Sequence, residues 1–242
     1  MRIVAAVLAF LVCGLLSGKV LAADGGWSLQ VAPYLWAVGI DGDVEVGDRE
    51  VDVDVGFDDL IDKVDFGGSL LARVQKDLWV SRLQVDYFEL SEDENVDRIG
   101  GAKVEVDSDT LFLTVATGIQ FPWLRKHTID VLGGVRYAHM DNELKIAGVG
   151  SRDNTQDIFD GILMLRPSFR LSQRWYFNPT FSIGAGDSDL TWELQPQFQF
   201  NFADNWGALI GYRRLYYDVE GDRGNSFDGA FHGFMLGLGG GF

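Results

Sequence analysis

Cysteine, proline, histidine and long apolar runs are all scarce in this sequence. Its 242 residues include one cysteine, five prolines and three histidines. Cys13 lies in the first apolar segment, so the remaining chain has no thiol for a disulfide, a thiolate metal site or a cysteine nucleophile. Val12 stands where a lipoprotein signal needs a small residue, which argues against lipidation of Cys13.

Positive charge is also in short supply. The formal net charge is −16, which argues against nucleic acid as a partner because such proteins present a basic surface. Heptads, helical repeats and cofactor motifs are not apparent, and no cofactor is expected. Beyond the amino-terminal segment, no apolar run reaches the about 20 residues that a membrane-spanning helix needs.

The amino terminus has the pattern of an export signal. Met1-Arg2 is a short basic start, residues 3–16 are almost wholly apolar, and Val20-Leu21-Ala22 supplies small residues for cleavage after Ala22. The alternative is a membrane anchor helix, for which the apolar run is too short. We therefore predict a signal peptide over 1–22 and a single domain over 23–242.

A period of two dominates the domain. In residues 190–202, Leu190, Trp192, Leu194, Pro196, Phe198, Phe200 and Phe202 alternate with mostly polar residues. This pattern predicts a strand with one apolar and one wet face. Ten such segments lie near 27–38, 66–75, 78–90, 108–121, 127–140, 158–171, 174–185, 189–202, 206–218 and 229–242. Strands cross a bilayer when they close into a barrel, so we predict an all-β, up-and-down antiparallel transmembrane barrel of about ten strands, with eight or twelve as alternatives.

Connection length and aromatic residues support a membrane barrel. Turns near 75–77, 122–126, 172–173 and 203–205 are short, whereas 39–65, 91–107, 141–157 and 219–228 are long. Short turns are typical of the periplasmic side, which places both termini there. An aromatic girdle is expected at the short turns from Trp27, Trp79, Trp123, Trp175, Trp206 and Phe242, and a second belt at the other ends from Trp36, Tyr87, Tyr137, Trp192 and Tyr216.

The closing segment adds a resemblance. Phe234, Leu236, Leu238 and Phe242 share one face, which resembles the carboxy-terminal signal read by the barrel-assembly machinery of Gram-negative bacteria. Together with W-S-L-Q-V-A-P-Y-L-W at 27–36 and G-Y-R-R-L-Y-Y-D at 211–218, the chain is similar to a widespread group of porin-like outer-membrane proteins. The resemblance implies a fold, an outer-membrane location and that assembly partner, and it implies no catalytic residue.

The first long loop is strongly acidic. Residues 39–65 hold eleven acidic side chains against Arg49 and Lys63, and valines alternate with acids on both sides of Gly47-Asp48, which predicts a projecting hairpin. Phe57, Leu60, Ile61 and Val64 have helical spacing and predict a short helix. The acids are suited to divalent cations that bridge to lipopolysaccharide. A solvated, repulsive surface is the favoured interpretation, since no calcium-loop motif is present.

The inward faces of the strands carry charge. Alternation points ten residues into the lumen: Arg73, Arg82, Asp86, Asp130, Arg136, Asp160, Arg166, Arg170, Glu193 and Arg213. They would either select anions in a narrow pore or pair across the lumen and fill it. We favour the filled lumen, or a pore for small solutes, over a general diffusion channel.

Catalysis and adhesion are the rival functions. His139 lies near Asp141 and His232 near Ser226 and Asp228, as in an outer-membrane enzyme acting on lipid A or peptides. His127 belongs to the short-turn side, and neither Gly-x-Ser-x-Gly nor His-Glu-x-x-His is present. We predict that the chain is not an enzyme. An adhesin or receptor role for the long loops stays open.

Overall fold

The computed structural model describes residues 26–46, 49–55, 64–96, 102–124, 126–146, 150–220 and 225–241. Three predicted features lie outside these ranges: the signal peptide over 1–22, the Gly47-Asp48 turn and Phe242. Of the predicted helix near 57–64, residues 57–63 also lie outside them, and Val64 begins a strand. The acidic side chains of 39–65 lie outside as well, apart from Asp41 and Asp43.

Thirteen strands make up one antiparallel sheet in the described residues. They are β1 (Trp27–Val46), β2 (Arg49–Val55), β3 (Val64–Lys76), β4 (Trp79–Val96), β5 (Ala102–Trp123), β6 (His127–Ile146), β7 (Gly150–Arg170), β8 (Trp175–Phe177), β9 (Thr180–Gly186), β10 (Leu190–Gln195), β11 (Gln197–Asn201), β12 (Trp206–Glu220) and β13 (Asn225–Gly241). No helix in the described ranges is long and apolar enough to span a membrane.

The wall of the closed barrel consists of ten strands, because β2 lies outside the wall and two of the wall strands are each split in two. β8 and β9 are separated at Asn178-Pro179, and β10 and β11 at Pro196, because proline has no N–H for the ladder. β2 pairs with β1 as the projecting hairpin that the valine pattern predicts. The barrel closes where β1 pairs with β13, from Gln30 opposite Gly241 to Val46 opposite Asn225. The prediction of a ten-stranded, all-β, up-and-down barrel is confirmed.

Several strands are longer than their sequence pattern predicts. Residues 91–107 and 141–157 were expected to be loops, yet β4 runs to Val96, β5 starts at Ala102, β6 runs to Ile146 and β7 starts at Gly150. The expected loop at 219–228 is similarly shortened by β12 and β13. These extensions keep their backbone groups paired beyond the barrel.

The barrel has two distinct ends. The short-turn end carries the connections at 77–78, 124–126, 171–174 and 202–205, together with the start of β1 and the end of β13. The opposite, long-loop end carries the projecting hairpins of β1 with β2, β4 with β5, and β6 with β7. This asymmetry follows the connection lengths in the sequence.

Apolar side chains cover the outside of the barrel. Leu163 and Phe234 are 69% and 70% exposed, and they share the outer surface with Leu35, Phe159, Ile183, Ile210, Leu236 and Leu238. The inward side chains of the same strands are buried, among them Ile162 and Met164 beside Leu163, and Met235 beside Phe234. A soluble barrel would reverse this distribution, because water favours polar atoms on an outer face.

A charged and aromatic interior as the candidate functional site

A layer of buried ion pairs crosses the middle of the barrel. Alternation turns Asp86 on β4, Arg136 on β6, Glu193 on β10 and Arg213 on β12 inward, and each is at most 2% exposed. Arg213 Nη1 donates to Asp86 Oδ2 at 2.5 Å, and Arg213 Nη2 donates to Glu193 Oε2 at 3.2 Å. Arg136 Nη2 donates to the same Glu193 oxygen at 2.8 Å. Because β4 and β12 are not neighbours in the sheet, the contacts span the interior.

The layer is balanced in charge and rich in hydrogen bonds. Two arginines face two carboxylates, and the remaining Arg136 donors reach Ser182 Oγ at 2.6 Å and Thr191 Oγ1 at 3.0 Å. The Tyr34 hydroxyl donates to Asp86 Oδ1 and accepts from Gln84 Nε2. Buried charges persist in a folded protein when they are paired and hydrogen-bonded in this way.

An apolar plug fills the interior between this layer and the long-loop end. We use that name for Phe112 and the side chains packed around it: Val38, Phe88, Ala138, Ile158, Leu215, Tyr217, Val219 and Phe231. The Phe112 ring centroid lies 4.9 Å from that of Phe231 and 6.1 Å from that of Tyr217. The Arg213 guanidinium lies 4.5 Å from the Trp36 ring, which joins the two layers by a cation–π contact.

The plug was not anticipated from the sequence. Its signal is an apolar residue on the inward face where a polar one is expected, as in Leu111-Phe112-Leu113. Trp36 is a correction of the same kind, since it was placed in the outer aromatic belt. The ring lies near the long-loop end but faces inward, against Phe88 and Phe112. The alternation over residues 27–38 is irregular, so it indicates the height of Trp36 along the strand but not the face that the ring occupies.

A third group of charges lies toward the short-turn end. Asp130 is 1% exposed, with Arg73 Nε at 3.5 Å and Arg166 Nη1 at 3.6 Å from its Oδ2. Gln120 Nε2 donates to Asp130 Oδ1 at 2.7 Å. Arg82 is buried on β4 and donates from Nη1 to Thr180 Oγ1 at 3.0 Å. These arginines border a cavity of about 140 Å³.

Two of the ten predicted lumen residues stand apart from these groups. Asp160 is fully buried and accepts from the Ser188 N–H at 3.0 Å, which fixes the turn at 187–189. Arg170 is exposed at the short-turn end, where Nε donates to the Ser172 carbonyl at 3.2 Å and the guanidinium lies 5.9 Å from the Tyr176 ring. The structure therefore does not bring Arg170 to the other interior arginines.

The predicted girdle tryptophans lie at the short-turn end on the outer surface. Trp27, Trp79, Trp123, Trp175 and Trp206 are 40–43% exposed. Trp27 and Trp79 meet edge to face with centroids 5.7 Å apart, and Trp175 packs on Phe200 at 4.8 Å. Half-exposed rings at one height suit a layer that is apolar on one side and wet on the other.

The histidines have other partners than the sequence suggested. His139 Nδ1 lies 2.7 Å from Asp157 Oδ1 rather than on Asp141, and the Tyr137 hydroxyl donates to the same Asp157 oxygen. His232 Nδ1 lies 2.9 Å from the Tyr212 hydroxyl and its Nε2 lies 3.5 Å from Asp41 Oδ1. His127 Nδ1 accepts from the Arg170 N–H. The described side chains contain no cluster of three or more potential metal ligands.

Comparison with known proteins defines the fold. No family model and no curated protein matches this chain. The translocator domain of autotransporter NalP from Neisseria meningitidis superposes with a TM-score of 0.53 at 14% identity, covering 99% of this chain and 95% of that one. The outer membrane protease OmpT from Escherichia coli gives a TM-score of 0.54 at 8% identity, covering 93% and 99%. The chain thus has the fold of outer-membrane β-barrel proteins, as its sequence predicts.

Proposed function

We propose that this chain is an integral bacterial outer-membrane barrel with a closed lumen, whose role is structural or carried by its long-loop surface. The apolar outer surface, the ring of tryptophans and the predicted export signal over 1–22 support insertion into the outer membrane. In this orientation the short-turn end and both termini face the periplasm. The long-loop hairpins then project from the cell among lipopolysaccharide molecules.

The observation that carries the closed lumen is the stacking of two filled layers. The apolar plug has Phe112, Ala138, Leu215 and Tyr217 fully buried at its centre, so side chains occupy the space that a pore would need. The charged layer lies directly against it through Trp36 and Arg213. Small barrels have interiors just wide enough for such filling. Water and ions meet two successive barriers, one apolar and one made of fixed ion pairs.

Planar-bilayer conductance of the refolded protein tests this proposal. We expect no large, stable openings from the wild-type protein, and more frequent openings from Phe112→Ala, which removes the ring at the centre of the plug. Phe234→Ala is the matched control, because Phe234 is 70% exposed on the outer surface. Large, long-lived openings of the wild-type protein would refute the closed lumen and favour a porin.

We propose no enzymatic activity. A base needs a nucleophile within hydrogen-bond reach. The described contacts of His139 are with Asp157 and Tyr137, and those of His232 are with Tyr212 and Asp41, none of which is a serine or threonine. Incubation with lipopolysaccharide, followed by mass analysis of lipid A, tests this statement. Loss or transfer of an acyl chain would show that the long-loop end holds a catalytic site.

Divalent-cation binding by the acidic segment 39–65 stays a prediction, as does recognition of the β13 end by the barrel-assembly machinery. Asp41, which is part of that segment, pairs with Arg214 at 2.8 Å. The Asp41 carboxylate therefore already has a positively charged partner, the Arg214 guanidinium.

A further inference from the structure

Charge is unevenly distributed along the axis of the lumen. In the middle layer, Arg136 and Arg213 are balanced by Asp86 and Glu193. Nearer the short-turn end, three described arginines, Arg73, Arg82 and Arg166, line one cavity. Arg73 and Arg166 lie at ion-pair distance from Asp130, and Arg82 is attracted by Asp130 and by Glu193 of the middle layer, which already pairs with Arg136 and Arg213. Arg82 and Arg73 both repel Arg166 electrostatically, and Arg73 repels Arg82. This part of the interior therefore carries an excess of positive charge.

Most of the donors of these three guanidinium groups make no hydrogen bond to the described residues. A guanidinium has five N–H donors. Arg82, only 7% exposed, has its hydrogen bond to Thr180, and Arg73 donates from Nη1 to Gln75 Oε1 at 2.8 Å. Arg73 Nε is buried without a hydrogen-bond partner among the described residues. Arg166 contacts Asp130 at 3.6 Å, which is too long for a strong hydrogen bond.

The three arginines share one cavity. Its volume is about 140 Å³, and the amide side chains of Gln197, Gln199 and Asn201 form part of its wall. One water needs only about 10–15 Å³ by this kind of measure, so the space exceeds a single solvent molecule several times over. Asp204 and Asn205 lie at its rim, in the exposed turn at 202–205. Toward the long-loop end, the cavity is closed by the charged layer and the apolar plug.

We propose that this cavity is a binding site for a small oxyanion of the phosphate or carboxylate class, which enters from the short-turn end. Both classes offer oxygens that accept paired N–H bonds from arginine forks. A bound anion would supply the missing acceptors and relieve the repulsion among Arg73, Arg82 and Arg166. The amides of Gln197 and Gln199 would donate to further oxygens. The ligand reaches the site through water, since Arg73, Arg82 and Arg166 line the cavity from the lumen side.

The test is a titration of the folded full chain in detergent. The unfolding midpoint is measured with rising inorganic phosphate or acetate, against sodium chloride at equal ionic strength. A ligand that binds the folded state alone raises the midpoint in a saturable way. We expect such a rise with at least one of the two anions. The anion that stabilises identifies the class, and identical curves for phosphate, acetate and chloride would overturn the proposal.

Single-residue variants test whether the anion-dependent rise in the unfolding midpoint comes from this cavity. Arg166→Gln should fold, because it relieves repulsion from Arg82 and Arg73 while Arg73 still faces Asp130, and it should lose most of the anion-dependent rise. Arg82→Gln removes a second cavity guanidinium together with its attraction to Glu193, and it should lose most of the rise as well. Arg170→Gln is the matched control, since Arg170 is exposed at the same end and outside the cavity. An undiminished response in Arg166→Gln would place the anion elsewhere and overturn the site. If a variant fails to fold, calorimetric titration of the wild-type protein with phosphate and acetate decides the binding. The closed lumen is tested separately by conductance, so either proposal fails without the other.

Discussion

Replacing Glu193 by glutamine probes the charged layer most directly. Glu193 is 2% exposed and its Oε2 accepts from both Arg136 and Arg213, at 2.8 and 3.2 Å. Glu193→Gln keeps the shape and one carbonyl acceptor but leaves two arginines facing Asp86 alone. The layer then carries one uncompensated positive charge within the barrel.

The expected cost follows from the contacts. Two unit charges about 4 Å apart attract by about 4 kcal/mol at an effective dielectric constant of 20. Removing one member of a buried ion pair typically costs about 3–5 kcal/mol, because the partner charge stays desolvated. Arg136 keeps Ser182 and Thr191, and Arg213 keeps Asp86, which limits the loss. We expect Glu193→Gln to lower the free energy of unfolding by about 3 kcal/mol.

Urea unfolding in lipid vesicles, followed by tryptophan fluorescence, measures this change. Asp189→Asn is the control, because it removes an acid from the exposed turn before β10 and should change stability by no more than about 0.5 kcal/mol. The double variant Glu193→Gln with Arg136→Gln restores neutrality, so its cost should be smaller than the sum of the single costs by about 0.5–3 kcal/mol. A loss below about 1 kcal/mol for Glu193→Gln, with additive single costs, would refute the cross-lumen pairing.

Two further predictions concern the closure of the barrel and its position in lipid. Gly233→Ala would place a Cβ atom 1.7 Å from the Ala37 carbonyl oxygen on β1, so we expect a loss of about 3 kcal/mol or failure to form the heat-resistant barrel on gels. Gly68→Ala, with nothing within 4 Å of its Cβ, is the control, and equal behaviour of the two variants would contradict the close packing of β1 and β13. In vesicles containing lipids brominated near the headgroup, a variant with Trp206 as its one tryptophan should be strongly quenched. A variant that retains Trp36 instead should be quenched weakly because its ring faces the plug, and equal quenching would mean that Trp36 faces lipid.

The wall of the barrel was predictable from the sequence because it obeys a single rule. Each strand of the wall sets apolar residues on the outer surface, and the period of two survives even where proline interrupts the ladder at Pro196. The strand extensions beyond the barrel were missed because their alternation of apolar and charged residues is short, as at Val104 and Val106 on β5 and at Leu144 and Ile146 on β6.

The interior was predictable only in part. Alternation identifies which charged residues face inward, but it does not give their height along the axis. The position along the barrel axis determines the partners of each charged residue. Arg213 pairs with Asp86 and Glu193, and Arg166 lies near Asp130. Arg170 lies at the exposed short-turn end. The plug escaped notice for another reason: Phe112 and Phe231 are apolar on a face where polar residues were assumed. Contacts between strands that are not neighbours in the sheet depend on the strand register, and that register is set by all ten strands of the wall together.

The pairing of β1 with β13 has a consequence for biogenesis. β1 pairs with β3 on one side and with β13, the last strand of the barrel, on the other, so its second edge stays unpaired until β13 has been made. Until the ends meet, both borders of the sheet present free N–H and C=O groups that another chain can capture. Pairing of β1 with β13 removes both of these edges at once.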